Sequence, residues 1–412
     1  MTGGRSAALR VALWHPDGLR VLLRDGALPQ VELAADADLT ASLRAAWGLE
    51  SWLLHDGGRA MGREGAAQLQ ALGDQAPGGF GWGQADLSPL AGARAWQRPG
   101  WPQRAASVLE TALEQVGLRR TGRLDPVHHH DLVAVVRAQT ERGAVYLKAS
   151  ETGREAAVTA RLAQTLPDLL PPLLWADPGA GLLVSASGGK LLDGVAELTA
   201  WEQALERLAR LQTGADATAL ARLGCPAWPL DEVTGRVDTL LGDRAALETW
   251  GLGPEHIGTL EEARPAVRSA FRDLGALGLP DLPAHGDAHP RNALHGPRGS
   301  VWFDLSEAAS AAHPFMDAGW FLAFTLHPAR AKLPVRLAQA DLEARLAAAY
   351  VNALGCPGAD RLLLKTLPLA LLHRAAVYDA QFRGWEGTVP GWRPEYTPFY
   401  LKQAVRELAR LA

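Results

Sequence analysis

The stretch AHGDAHPRNAL, Ala284 to Leu294, sets two histidines, an aspartate, an arginine and an asparagine within eight residues. Two readings are open on these residues alone. His285, Asp287 and His289, with His295 and His313 available as further ligands, suit a metallohydrolase centre of nitrogen and oxygen donors. Alternatively, Asp287 does chemistry with partners other than the histidines. Asn292 lies five positions on, and Asp304 twelve further, closing the apolar run Val301-Trp302-Phe303. A carboxylate at the end of a buried strand costs free energy unless it is paired or bound to a metal. Together Asn292 and Asp304 offer the hard oxygen ligands that Mg²⁺ prefers. The metallohydrolase reading leaves both of them without roles.

Working outward, 412 residues exceed what one hydrophobic core usually organises and favour two or three domains. Hydrophobic residues make up 48% and charged residues 21%, the balance of a soluble globular chain. A net charge of -4 and the absence of long like-charge runs give no support to nucleic-acid binding. No uninterrupted apolar segment of membrane-spanning or signal-peptide type occurs, so a cytoplasmic protein without a membrane partner is expected. Cys225 and Cys356 are too few for a disulfide framework or a zinc cage. Arginine outnumbers lysine 36 to 5, so a lysine inside an apolar run asks for a reason.

At the N-terminus, Arg10–Trp14 and Leu19–Leu23 read as strands around the turn His15-Pro16-Asp17-Gly18. A helix follows from about Asp38 to Trp47, ended by Gly48, and then a strand from Ser51 to Leu54. This order resembles a Nudix domain, which implies a glutamate cluster holding divalent metal on the helix. The matching positions here are Ser42, Ala45 and Ala46, so residues 1–95 are expected to be a small α/β Nudix-like domain without the metal site. The glycine-alternating GGFGWGQ, Gly78 to Gln84, lacks the following helix that would aim backbone N–H groups at a phosphate, and reads as a loop. A helix from about Gln103 to Val116 is expected within a linker, residues 96–123.

Further on, Leu132–Ala138 and Ala144–Ala149 read as a hairpin turning at Glu141-Arg142-Gly143. Three adjacent histidines, His128 to His130, precede it; they alternate faces, so at most two reach one metal, with Asp131 the sole nearby carboxylate. Lys148 closes the second strand after Val145-Tyr146-Leu147. Its position is similar to that of the phosphate-gripping lysine of kinases, which a helix glutamate must hold. Glu155, in the first turns of a helix starting near Gly153, is the favoured partner, and Glu151 the alternative. Leu182–Val184 then runs into Ser185-Ala186-Ser187-Gly188-Gly189, suited to a hinge whose backbone reads a nucleotide base. Beyond it the periodicity turns helical, with Trp201, Leu205, Leu208 and Leu211 on one face and Leu260, Val267, Phe271 and Leu274 on another.

HGDAHPRN, VWFDLSEA and HPFMDAG, in that order, resemble the signature run of the aminoglycoside phosphotransferase and choline kinase-like family. The resemblance implies an α+β, two-lobed protein kinase-like fold, with a β-rich lobe at 124–190 and a helical lobe at 191–412. It also implies ATP and Mg²⁺ as cofactors and transfer of the γ-phosphate to a small-molecule hydroxyl, of aminoglycoside, sugar, choline or amino-alcohol type. Asp287 is similar to the catalytic aspartate, Asn292 and Asp304 to the Mg²⁺ ligands, and Asp317 to the aspartate bracing the loop. Lys148, Glu155, Ser185 and Ser187 fall on the nucleotide side. His285 and His289 become loop supports. A glycine-rich phosphate cover before Lys148 is missing, and a non-catalytic pseudokinase is the alternative. Acceptor selection is expected from residues 191–280 and 320–400, where Asp379 and Glu386 are candidate carboxylates.

Overall fold

The computed structural model describes residues 7–33, 38–55, 66–85, 87, 93–129, 132–326, 339–384 and 396–411. These form two compact units, one of residues 7–151 with 182–184, the other of 152–181 and the described residues from 185 onward. His130, Asp131 and Glu386 lie outside the described residues.

The first unit begins with a mixed sheet in the order Ser51–His55, Ala67–Ala71, Ala7–Trp14, Val21–Leu23, Gly81–Gly83, with Gln30–Leu33 also paired to Ala7–Trp14. The hairpin at His15-Pro16-Asp17-Gly18 forms, with Trp14 opposite Val21. Gly18 takes the positive φ of 72° that the turn requires. One expectation fails here: Gly81–Gly83 is not loop but an edge strand on Val21–Leu23. Its glycines carry no side chains, so no alternating pattern advertises a strand that backbone hydrogen bonds alone define.

Leu39–Trp47 is helical because both ends are closed. Asp38 Oδ1 accepts from Ala41 N–H at 2.9 Å, and Gly48, at φ 67°, donates to the Arg44 carbonyl. Leu39 and Leu43 enter a core with Val11, Leu13, Leu22 and Leu69. Ala45 and Ala46 are exposed. The helix Trp101–Gln115 follows, burying Trp101, Ala105, Leu109 and Leu113.

Three antiparallel strands, Arg120–His129, Val133–Thr140 and Gly143–Ser150, complete the unit, with Leu182–Val184 beside the last. Along Gly143–Ser150 the residues Val145, Leu147 and Ala149 are buried, so the period of two sends Lys148 to the opposite face. His129 Nε2 lies 3.1 Å from the Leu54 carbonyl, and burial pushes its pKa down to about 4. That ring is therefore spent on the backbone, while its neighbour His128 is exposed.

The second unit is mainly helical, built around Trp201, Trp302, Phe315, Phe321 and Tyr350. Two of the buried indole nitrogens have carbonyl partners: Trp201 Nε1 donates to Val195 O at 2.9 Å and Trp302 Nε1 to Ala204 O at 3.0 Å. Phe315–Thr325 is buried on every face, as its largely apolar composition demands, with Asp317 the one charged residue, and packs on the long helix Asp360–Gly384. Against this frame sit two small sheets. One pairs Ala293–Gly296 with Gly299–Trp302, and the other sets Leu282–Ala284 antiparallel to Ala309–Ala312. Among the described residues no helix is long and apolar enough to cross a membrane.

Candidate active site

The stretch after Leu282–Ala284 leaves its strand at Gly286, whose φ is 81°. A Cβ at this position would stand 1.8 Å from the Glu307 carbonyl oxygen, so the loop closes on Glu307 only with glycine. Gly286→Ala is expected to cost well over the about 1–2 kcal/mol of a left-handed backbone alone. Gly278→Ala is the comparison, because Gly278 also has positive φ but nothing within 4 Å of a built Cβ. Urea denaturation of the two variants separates the contact from the conformational cost.

Asp317, in the first turn of the buried helix, fastens the loop. Its Oδ2 accepts from His285 N–H at 2.6 Å and its Oδ1 from Gly286 N–H at 3.0 Å. Gln212 Nε2 reaches the same carboxylate at 3.3 Å, and Gln212 Oε1 in turn accepts from the Tyr350 hydroxyl at 2.6 Å. Asp317 is 5% exposed, and burial raises its carboxyl above the usual range despite these donors.

The two histidines are committed to the loop. His285 Nδ1 accepts from Asp287 N–H at 3.3 Å while Nε2 faces the Phe303 carbonyl at 2.9 Å. His289 Nδ1 accepts from Arg291 N–H at 3.1 Å, and Nε2 lies 3.4 Å from Asp287 Oδ2. Its ring stacks on Phe324 with centroids 4.5 Å apart. In each ring the Nδ1 contact fixes the tautomer with hydrogen on Nε2. The metallohydrolase constellation therefore has no support in the geometry, and among the described residues no group of three or more histidines, cysteines or carboxylates is arranged to hold a metal ion.

His313 makes the same kind of turn, its Nδ1 accepting from Phe315 N–H at 3.3 Å. Burial lowers the pKa of His285 and pushes that of His313 down to about 4. Below the ordinary histidine value the unfolded chain takes up protons that the fold refuses, so stability falls with pH from about 6.5 towards 4. The expected slope is roughly 1.4 kcal/mol per pH unit for each such histidine. Asp317, with its raised carboxyl, acts in the opposite sense near the acid end. Urea midpoints at pH 7.5, 6.5 and 5.5 test this; a flat series contradicts it.

Asp287 is the meeting point. Its Oδ1 accepts from Trp320 Nε1 at 3.0 Å and pairs with Arg374 Nη2 at 3.1 Å. Asn292 Nδ2 donates to Asp287 O at 2.9 Å and to Oδ2 at 3.2 Å. Burial pushes the carboxyl up, but Arg374, His289 and His285 outweigh it and hold it well below the usual range. Arg374, 4% exposed, also donates to the Gly286 carbonyl at 2.9 Å. Sequence reasoning missed Arg374, Trp320, Gln212 and Tyr350.

Asn292 and Asp304 come to one end of the hairpin. Ala293 pairs with Trp302, and Phe303 N–H donates to Asn292 O at 3.0 Å, which carries Asp304 back beside the loop. Asp304 holds φ 61° and ψ 66°, a left-handed conformation uncommon for a residue other than glycine. The Ser306 hydroxyl donates to its Oδ1 at 2.7 Å. With Nδ2 spent on Asp287, Asn292 presents a carbonyl oxygen, and Asp304 a carboxylate, as the donor set that Mg²⁺ takes.

The nucleotide-side candidates are distributed. Lys148 belongs to the first unit and is half-buried; Glu155 opens the helix Arg154–Thr165 of the second and is 3% exposed. Glu151 is ion-paired with Arg94. Ser185 is half-buried, and the exposed Ser187 accepts weakly from Gly189 N–H at 3.4 Å. On the acceptor side, Asp379 is taken by Trp250 Nε1 at 2.8 Å and Arg383 Nε at 3.0 Å.

No protein-family model matches the chain, and no curated protein does. Among solved structures, the chain is similar to a choline/ethanolamine kinase family protein from Mesorhizobium loti, at 16% identity and TM-score 0.50, covering 75% of this chain and 99% of that one. It is also similar to the GDP complex of aminoglycoside 2'-phosphotransferase-IIIa, at 12% identity and TM-score 0.50, covering 75% of this chain and 98% of that one. These likenesses show that the chain has the mixed α+β, kinase-like fold of both structures.

Proposed function

We propose that this protein is an ATP- and Mg²⁺-dependent phosphotransferase that moves the γ-phosphate to a hydroxyl of a small molecule. The observation that carries the reading is the loop at Asp287. A half-buried carboxylate is held by Asn292, Trp320 and Arg374 on a backbone that Asp317 fastens, with Asp304 brought to the same end of the hairpin. The similarity to a phosphotransferase seen with GDP supports a nucleotide as donor.

In this reading Asp287 orients the acceptor hydroxyl and receives its proton as the oxygen bonds to the γ-phosphorus; the bond to the β-phosphate oxygen breaks and ADP leaves. Asn292 and Asp304 would hold Mg²⁺, whose contribution is to neutralise charge on the phosphates. Lys148 and Glu155 are assigned to nucleotide binding, the lysine at the phosphates and the glutamate as its holder, and Ser185 and Ser187 to a hinge beside the base. The remaining work is positioning. Residues 1–95 we read as a Nudix-like module in which Ser42, Ala45 and Ala46 replace the metal-holding carboxylates.

The deciding measurement is ADP release by the purified chain against a panel of hydroxyl compounds, with and without Mg²⁺. Asn292→Ala is expected to raise the Mg²⁺ concentration needed for half-maximal activity by about tenfold or more, since one ligand is lost. An unaltered Mg²⁺ requirement removes Asn292 from the metal site. Absence of Mg-ATP binding by the parent chain overturns the reading as a whole.

A further inference from the structure

We infer that the acceptor taken at Asp287 carries no positive charge: it is a neutral or anionic hydroxyl compound, not an amino-sugar or amino-alcohol. This rests on the phosphotransfer reading and names its substrate class. A protein holds an organic cation with two devices, a carboxylate and the faces of aromatic rings. Beside Asp287 both devices already hold a cation, and it belongs to the chain. The Arg374 guanidinium lies 3.1 Å from Asp287 Oδ1, with its carbon 5.3 Å from the Trp320 ring centre and 5.2 Å from that of Tyr378.

Arginine stays protonated at any working pH. Buried as it is, Arg374 sits at the candidate base as a fixed positive charge with little water to screen it. Asp287 is thereby spent on a cation of the chain's own, and a second cation at the reacting position finds that carboxylate already paired. Among the described residues, the other carboxylates nearby do not offer a replacement. Asp379 is bound by Trp250 and Arg383. Glu307 shares the field of both Arg374 and Arg154 with Asp287 and Asp304, and its carboxyl is raised by burial. Asp304 is assigned to the metal. A neutral hydroxyl compound needs no counter-charge here, and an anionic one can turn to the Arg374 guanidinium.

The test uses the full chain with Mg-ATP and matched acceptors that differ in charge: glucose against glucosamine, 3,3-dimethylbutanol against choline, and glycerate and glycerol against ethanolamine, with kanamycin added. ADP release gives kcat/KM for each, and a fluorescent ATP analogue reports nucleotide binding separately. The expected result is that turnover favours the uncharged or anionic member of a pair by at least about tenfold, as a cation without a counter-charge in a poorly hydrated site requires. Arg374→Gln is expected to narrow that ratio; if this variant fails to fold, the ratios of the parent chain decide. A cationic compound used as well as or better than its partner overturns the inference and leaves the phosphotransfer reading standing. So does a chain that binds Mg-ATP and turns over no member of the panel. Failure to bind Mg-ATP overturns the phosphotransfer reading, and the inference falls with it.

Discussion

Asp287→Asn is expected to lower Mg-ATP-dependent phosphoryl transfer by about a hundredfold to ten-thousandfold, the range that a positioned proton acceptor contributes. The loss is chemical more than structural. Asparagine retains an oxygen for Trp320 Nε1, and Arg374 retains the Gly286 carbonyl and the faces of Trp320 and Tyr378. What disappears is the charge facing Arg374, so a drop in melting temperature is expected alongside the loss of rate. Nucleotide affinity is the discriminating readout, since no atom of Asp287 is assigned to the nucleotide. Full turnover in this variant would exclude Asp287 from the chemistry and leave the phosphotransfer proposal without its base.

The largest effect on folding is expected at Asp317. Alanine there strands the N–H groups of His285 and Gly286 in a buried setting and removes one of the two acceptors of Gln212 Nε2, the Pro314 carbonyl remaining. Each of the two stranded donors costs about 1–3 kcal/mol, so the variant is expected to lose at least about 2 kcal/mol of stability. Asp317→Asn is the sharper experiment. Its single amide oxygen serves one backbone donor and turns an NH₂ group against the other, so a loss smaller than alanine's but larger than that of a surface change is expected. Equal stability of the parent chain and both variants in urea would show that the loop does not depend on this side chain.

How much of this was legible beforehand follows from how local each signal is. The steps from Asp287 to Asn292 and to Asp304 are visible because one loop and one hairpin carry all three residues. The hairpin's Leu294–Val301 register then brings its two ends together. Asp317 lies 32 residues from His285, yet its setting after His313-Pro314 marks it. Arg374 had no such mark: it is one of 36 arginines, 87 residues beyond Asp287, and only the packing of Asp360–Gly384 against the buried helix delivers it. Trp320 and Gln212 carried no mark either: both are buried residues of packed helices that reach the site through their polar atoms. The edge strand Gly81–Gly83 escaped because glycine leaves no periodic trace. Asp379 was expected near an acceptor, whereas Trp250 and Arg383 account for it.

The histidines of the loop bear on one last matter. His285, His289 and His313 each use Nδ1 to receive the N–H two residues ahead, much as an aspartate or asparagine closes a turn. The imidazole is here a structural brace, and its proton ledger is part of its shape. A second proton would have to settle on Nδ1, directly opposite an N–H already pointing at it, and the turn would open. Backbone conformation and ring charge at Asp287 are thus one variable: acidification deep enough to charge His285 would be felt first as loss of the loop's geometry and only then as altered electrostatics.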